Sequence, residues 1–279
     1  MFTHIYGLQA VPFSRTLNTN DILVTTSVKE LQARLALTVR ERGIAVVTGE
    51  VGSGKSTAVR AFLASLDANR HTLVTLTWPI PSPSALYRQM LTRTRPARGA
   101  SVALNQPVPF GATAQVATLR TVLSDLISTH RKTPVIVIDE AHLLGHTLID
   151  PLRTLVSAQL DSQSLAALIL IGQPDLRRTL QLSTHAAFAQ RITHRCHIEP
   201  LLLEATLAYI QHHLKVAGLK ESTTLFSDDA LKRIAEWAQG IPRRINQVCT
   251  AALVAGAVAK AKVIDDTPVR QAINDLERD

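Results

Sequence analysis

The octet Gly49-Glu50-Val51-Gly52-Ser53-Gly54-Lys55-Ser56 follows the apolar run Ile44 to Val47 and leads into the helix-compatible stretch Thr57 to Leu66. Glycines at this spacing let successive backbone N–H groups turn inward around phosphate oxygens, and the helix that follows starts with its positive dipole end toward them. The octet therefore predicts a strand, a phosphate-binding loop and a helix in that order. Lys55 is expected to reach the β- and γ-phosphates of a nucleotide, and the Ser56 hydroxyl to bind Mg²⁺. The nucleotide-binding stretch runs from Gly49 through Glu50, Val51, Gly52, Ser53, Gly54, Lys55 and Ser56 to Thr57.

A second half-site lies downstream. Val135-Ile136-Val137-Ile138-Asp139-Glu140 is a β-branched run of the kind buried in a parallel sheet, and it ends in two carboxylates. Placed beside the first strand, Asp139 is expected to hold the Mg²⁺ shell, and Glu140 to orient and polarise the attacking water. ATP and Mg²⁺ are the ligands this pairing implies. Asp139-Glu140-Ala141-His142 also spells the box of one helicase class, but no helicase motif series follows it. His142 is expected to be a local contact near the γ-phosphate end.

Strand and helix patterns alternate as far as Pro200, which predicts an α/β fold: a parallel sheet covered by helices on both faces. Strands are expected at Ile44 to Thr48, Thr72 to Thr77, Pro134 to Ile138, Ala167 to Ile171 and Arg195 to Ile198. Helices are expected near Val28 to Arg42, Lys55 to Ala68, Ser84 to Thr94, Thr113 to Thr129, Leu148 to Ala158 and Pro174 to Leu182. Beyond Pro200 only helical patterns remain: Glu204 to Ala217, Ser227 to Gln239, Pro242 to Lys262 and Thr267 to Leu276. The expected division is an αβα domain with its N-terminal segment over residues 1–200 and a small all-helical domain over 201–279.

With 279 residues and 46% hydrophobic content, the chain can bury one large core and a smaller one. Cys196 and Cys249 have no paired spacing, so neither a disulfide framework nor a zinc site is indicated. His194, His197, His212 and His213 read as surface or structural residues. No segment has 18 uninterrupted apolar residues and the first twenty lack the apolar core of a signal peptide, so no membrane association and a cytoplasmic location are expected.

The net charge of +8 is unevenly distributed. No acidic residue lies between Asp67 and Asp125, whereas Arg70, Arg88, Arg93, Arg95, Arg98 and Arg120 do. An acid-free, arginine-bearing interval is the footprint of a polyanion. Within it, Thr92 to Ala112 is rich in Pro, Gly and Ser and reads as a loop inserted between the second and third strands. Arg93, Arg95 and Arg98 are the candidate DNA-binding residues. Few aromatics interleave with them, which favours contact with a duplex backbone over stacking on single strands.

Six segments, in this order, carry a resemblance. They are Tyr6-Gly7-Leu8 with Pro12-Phe13, the phosphate loop, Asp139 to His142, Leu170 to Leu176, Gln190-Arg191-Ile192, and Gly240 to Asn246. Together they resemble the AAA+ ATPases of the ExeA type and their transposition relatives TnsC, TniB and MuB. The resemblance implies an αβα ATPase domain, a helical lid and ATP-dependent self-assembly into a ring or a helical filament. It also implies roles by position: Gln173 as the polar sensor that helps place the attacking water, and Arg191 as the finger toward a neighbouring subunit's γ-phosphate, with Arg195 the runner-up. Arg243, in competition with Arg244, is the implied second sensor. Arginine's permanent charge and forked donors suit such phosphate contacts.

Secretion-associated ExeA proteins carry a membrane-spanning segment and a peptidoglycan-binding region after the ATPase, and this sequence runs only to Asp279 directly after the lid pattern. The resulting expectation is a regulator of transposition that binds duplex DNA largely without sequence preference, selects the insertion target and activates a transposase. A secretion-accessory ATPase, or a signalling or defence switch without DNA, is the alternative.

Overall fold

The computed structural model describes residues 2–14, 18–94, 108–158, 163–220 and 224–278. Five strands form one parallel sheet: β1 (Ile44–Gly49), β2 (His71–Leu76), β3 (Thr133–Ile138), β6 (Ala167–Gly172) and β7 (Ile192–Ile198), in the order β2-β3-β6-β1-β7. The central runs IAVVTG and ALILIG are buried along their whole length, as strands covered on both faces must be. Burial alternates along the edge strands β2 and β7, and in β7 the polar Thr193, His194 and Arg195 hide its first half from a hydropathy reading.

The period-two alternation of strands sorts the core into two layers. Ile44, Val46, Ile136, Ile138, Leu168 and Leu170 point to one face. There they meet α4 (Pro83–Thr94), α5 (Ala112–Ser128), α6 (His146–Val156), α7 (Pro174–Gln181) and α8 (Ala186–Ala189). Ala45, Val47, Val135, Val137, Ile169 and Ile171 point to the other, packed against Leu31, Leu35 and Val39 of α2 (Thr26–Glu41) and Ala58, Val59 and Phe62 of α3 (Lys55–Ala64).

Two expectations are corrected here. The strand carrying Asp139 is not the neighbour of β1, because β6 lies between them, paired through Val46↔Leu170 on one side and Ile138↔Leu170 on the other. Nor is Thr92 to Ala112 a loop throughout: Thr92, Arg93 and Thr94 form the last turn of α4 and Ala112 opens α5. Arg95 and Arg98 fall outside the described residues. The short elements had no periodicity to announce them. These are α1 (Phe2–Ile5), α8 and the two-residue antiparallel pair β4 (Ser157–Ala158) and β5 (Gln163–Ser164), which takes the end of an expected helix.

The chain divides into two compact units: Ser27–Gly49 with Lys55–Ile198, which holds the sheet, and Met1–Thr26 with Glu50–Gly54 and Glu199–Asp279. The N-terminal segment thus groups with the helical residues rather than with the sheet. In that second unit α9 (Leu203–Val216), α10 (Asp228–Ala238), α11 (Pro242–Val258) and α12 (Asp266–Arg278) share a core with Tyr6, Leu8 and Phe13. Ser227 caps α10, its Oγ accepting from Ala230 N at 3.2 Å. Gln239 and Gly240 then turn left-handed (φ 50° and 69°), and a Cβ on Gly240 would stand 2.0 Å from Leu201 O, so the position demands glycine. Pro242 at the first turn of α11 has no N–H to lose.

The N-terminal segment is fixed by its backbone and by a histidine. Gln9 N and Ala10 N both donate to Ala217 O, at 2.8 and 3.2 Å. Phe13 stacks on the buried His213 with ring centroids 5.3 Å apart, and the Tyr209 ring meets it tilted at 4.3 Å. Burial, assisted by the neighbouring His212, lowers the His213 pKa from 6.5 to about 4.

This burial has a pH consequence. The folded value lies below the unfolded one, so between pH 6.5 and 4 the unfolded chain binds the extra proton and stability falls as pH drops, levelling off below 4. The loss is expected to reach about 3 kcal/mol. Urea denaturation of the full chain across this range should show the decline, and His213→Leu should flatten it.

Candidate nucleotide site

β1 delivers Gly49 to the sheet's carboxyl edge, the chain turns through Glu50–Gly54, and α3 begins at Lys55. The turn is made by Gly52 and Gly54 at φ 83° and 92°, with Ser53 N donating to Glu50 O at 3.1 Å. Lys55 is buried and its Nζ donates to Gly49 O at 2.8 Å, so the ammonium is held under the loop by a neutral carbonyl. On the same helix Ser56 Oγ lies 3.2 Å from Asp139 Oδ1, which also accepts from Glu140 N at 2.9 Å.

Glu140 itself takes a left-handed conformation (φ 52°, ψ 36°) that ends β3 and starts a short 3₁₀ turn, Ala141–Leu143. Such a conformation is uncommon for a residue with a side chain and concentrates at functional sites. Its carboxylate is half-exposed, with Oε2 3.4 Å from His142 Nδ1. Gln173 caps α7 at the end of β6, and its backbone N lies 3.5 Å from the same Nδ1. The strands therefore bring together Lys55, Ser56, Asp139, Glu140 and Gln173 at one sheet edge. His142 stands among them, in contact with both Glu140 and Gln173, a role that the tetrad Asp139 to His142 did not reveal.

Whether these residues fit a nucleotide and Mg²⁺ can be judged from their donors. Ser53 Oγ is buried without a hydrogen-bond partner, and a Cβ placed on Gly54 would meet nothing within 4 Å, so the loop has an unsatisfied polar atom and room beside it. Ser56 and Asp139 offer adjacent hard oxygens, the ligand type Mg²⁺ takes alongside phosphate and water. The residues fit both groups.

The arginines differ in their engagement. Arg195 Nη2 donates to Ala189 O at 2.8 Å, tying the guanidinium to the end of α8. Arg191 stands half-buried just before β7, its backbone N on Phe188 O at 3.0 Å. In the helical unit Arg244 Nη1 donates to Gln239 Oε1 at 3.3 Å, and its guanidinium lies over the Trp237 ring at 5.4 Å. Arg243 N donates to Gly52 O at 3.2 Å. Arg93 Nη1 donates to Thr75 O at 2.6 Å, which anchors it to β2. His194 and His197 each pair with a threonine, Thr38 at 2.9 Å and Thr48 at 3.1 Å, and no group of three or more His, Cys, Asp or Glu suited to a metal occurs among the described residues.

A parallel five-stranded sheet with helices on both faces, a phosphate loop after β1 and acids at the end of β3, on the far side of β6, define a P-loop NTPase of the AAA+ fold, followed by a helical C-terminal part. Residues 38–180 match the model of the AAA domain, and the chain belongs to that family. It is 31% identical over 263 residues to general secretion pathway protein A of Aeromonas hydrophila, covering 91% of this chain and 45% of that protein. The chain thus spans less than half the length of this curated relative. Among solved structures it resembles Cdc6p of Pyrobaculum aerophilum (TM-score 0.68, 19% identity, 94% of this chain and 70% of that one). It also resembles the Aeropyrum pernix ORC1 protein in complex with DNA (0.63, 18%, 94% and 68%) and the RuvB branch-migration motor of Thermotoga maritima (0.57, 18%, 91% and 70%). At these identities the structural likeness concerns the fold alone.

The loop's tolerance is a direct test of this geometry. Gly52→Ala puts a methyl 2.6 Å from Arg243 Cβ on a backbone at φ 83°, so either the loop or the start of α11 must shift. Nucleotide affinity should fall about tenfold or more while helical circular dichroism is retained, read by titration with a fluorescent ATP analogue.

Proposed function

We propose that this protein binds ATP with Mg²⁺ and hydrolyses it to ADP and phosphate. The observation that carries this reading is the convergence of Ser56 and Asp139 at 3.2 Å with Glu140 next in sequence. Lys55 would hold the β- and γ-phosphates, Gly49 to Thr57 would wrap them, and Arg243 would act on them as the second sensor. Mg²⁺, held by Ser56 and Asp139, would neutralise charge on the transferring phosphoryl group. Glu140 orients the attacking water and draws on its proton, with Gln173 helping to fix the water's place. Arg191, with Arg195 the runner-up, would serve a neighbouring copy of the chain in an ATP-dependent oligomer.

For the purpose of turnover, the similarity to general secretion pathway protein A supports use of the ATPase in a secretion pathway. A second reading, a regulator of transposition that assembles on duplex DNA and activates a transposase, rests on charge. The sheet-bearing unit has 19 Lys and Arg against 9 Asp and Glu, a net of +10, whereas the other unit has 11 against 13, a net of −2. Such asymmetry is the electrostatic footprint of a polyanion partner.

Two sets of variants test these readings. Lys55→Ala should abolish ATP binding, whereas Glu140→Gln should keep it and lose at least about a hundredfold in turnover. Fluorescent-nucleotide titration beside phosphate release separates them, and wild-type turnover by Glu140→Gln would refute the assigned role. If duplex DNA is the partner, replacing Arg93, Arg95 and Arg98 with Ala should weaken binding on every duplex. The slope of log affinity against log salt should also fall by up to about 3 per protomer, at about 0.9 per phosphate contact. An unchanged slope, or no DNA binding by the wild type, would favour the secretion reading.

A further inference from the structure

His142 Nδ1 faces two partners that ask opposite things of it. Glu140 Oε2, 3.4 Å away, can only accept, so that contact needs a proton on Nδ1. Gln173 N–H, 3.5 Å away, can only donate, so that contact needs the Nδ1 lone pair. One ring nitrogen cannot satisfy both at once. Both separations are long for a hydrogen bond, as befits an atom contested by two neighbours rather than committed to one.

We propose that His142 is a positioning residue that ties the orientation of the Glu140 carboxylate to the placement of Gln173, through exclusive use of a single imidazole nitrogen. This rests on the ATPase reading of the site. With the ring proton on Nε2, Nδ1 accepts from Gln173 N–H and repels the carboxylate, which is then free to turn toward water. With the ring proton on Nδ1, it donates to Glu140 Oε2 and holds the carboxylate aside, and Gln173 N–H loses its acceptor.

The surroundings suit this role. The backbone of Glu140 is pinned by its N–H to Asp139 Oδ1 at 2.9 Å, so its side-chain torsions are the freedom left to the carboxylate. Gln173 begins α7 directly after β6, the strand paired with both β1 and β3, so a shift of the segment that senses the terminal phosphate changes the distance from its N–H to Nδ1. The His142 side chain is only 10% exposed and Glu140 is 55% exposed, so the histidine is the fixed member of the pair and the glutamate the movable one.

Steady-state ATP turnover of the full chain with Mg²⁺ tests the proposal, using wild type, His142→Ala and His142→Asn. The Asn amide places either its Nδ2 donor or its Oδ1 acceptor near the position of Nδ1, one at a time by rotation about Cβ–Cγ. His142→Ala should lower kcat about tenfold and leave KM within about twofold, because Nδ1 acts on the carboxylate and not on bound phosphates. His142→Asn should recover kcat to within about threefold of wild type. Wild-type kcat in His142→Ala, a rise of KM matching the fall of kcat, or no recovery in His142→Asn would each overturn the proposal while leaving the ATPase reading intact. No turnover by the wild type itself would overturn that reading, and the proposal with it.

Discussion

The parallel pairing of β1, β6 and β3 is the constraint on which the site depends. In a parallel sheet every strand's carboxyl end lies on the same edge, and ligands gather where neighbouring connections leave that edge in opposite directions. Register then does the positioning. Val46, Leu170 and Ile138 stand side by side across three strands, so a few residues later Gly49, Gly172 and Asp139 all reach the same rim. Lys55, Gln173 and Glu140, distant in sequence, become neighbours without any of them supplying packing energy. That energy comes from the two apolar layers on either side of the sheet, sorted by the alternation of residues such as Val46 inward on one face and Val47 on the other.

Much of this was legible in the sequence because the signals were strong and local. The octet at Gly49 has one structural solution, and runs such as Val135 to Ile138 could only be buried strands. What escaped was long-range or short. Nothing in the residues of β6 says that it inserts between β1 and β3, since strand order is settled by crossover handedness and packing rather than by composition. Arg93 falls in both the helix expected to Thr94 and the loop expected from Thr92, because the Pro- and Gly-rich stretch after it blurs the boundary; α4 continues through it and its guanidinium turns back to Thr75 O. The two-residue pair at Ser157–Ala158 and Gln163–Ser164 has too few positions to show alternation. For His142, the identity was visible but not its geometry, since only the left-handed turn at Glu140 brings its ring between the carboxylate and Gln173.

The grouping of Met1–Thr26 with the helical residues illustrates the same limit. Tyr6, Leu8 and Phe13 are ordinary apolar residues in sequence, and their attachment depends on Ala217 O, which ends α9 with orphan acceptor capacity, and on the flat face of His213. A helix C-terminus leaves carbonyls unsatisfied, and a passing segment with two free N–H groups meets that need. The cost is a buried imidazole that must stay neutral, so this attachment carries its own acid sensitivity.

The electrostatics of the phosphate loop explain why its residues are arranged as they are before any ligand arrives. An ammonium taken out of water loses several kcal/mol of solvation unless something negative replaces it. Lys55 Nζ donates to Gly49 O at 2.8 Å, which fixes the ammonium under the loop. Nearby, Ser53 Oγ is buried with no partner at all. That unmet polar atom is relieved by an anion that accepts from Ser53 and fills the open space beside Gly54. A polyphosphate meets these demands together, whereas a hydrophobic ligand meets none of them. The loop is thus destabilised relative to its occupied form, and binding energy is available because folding has already placed the donors and met their desolvation cost.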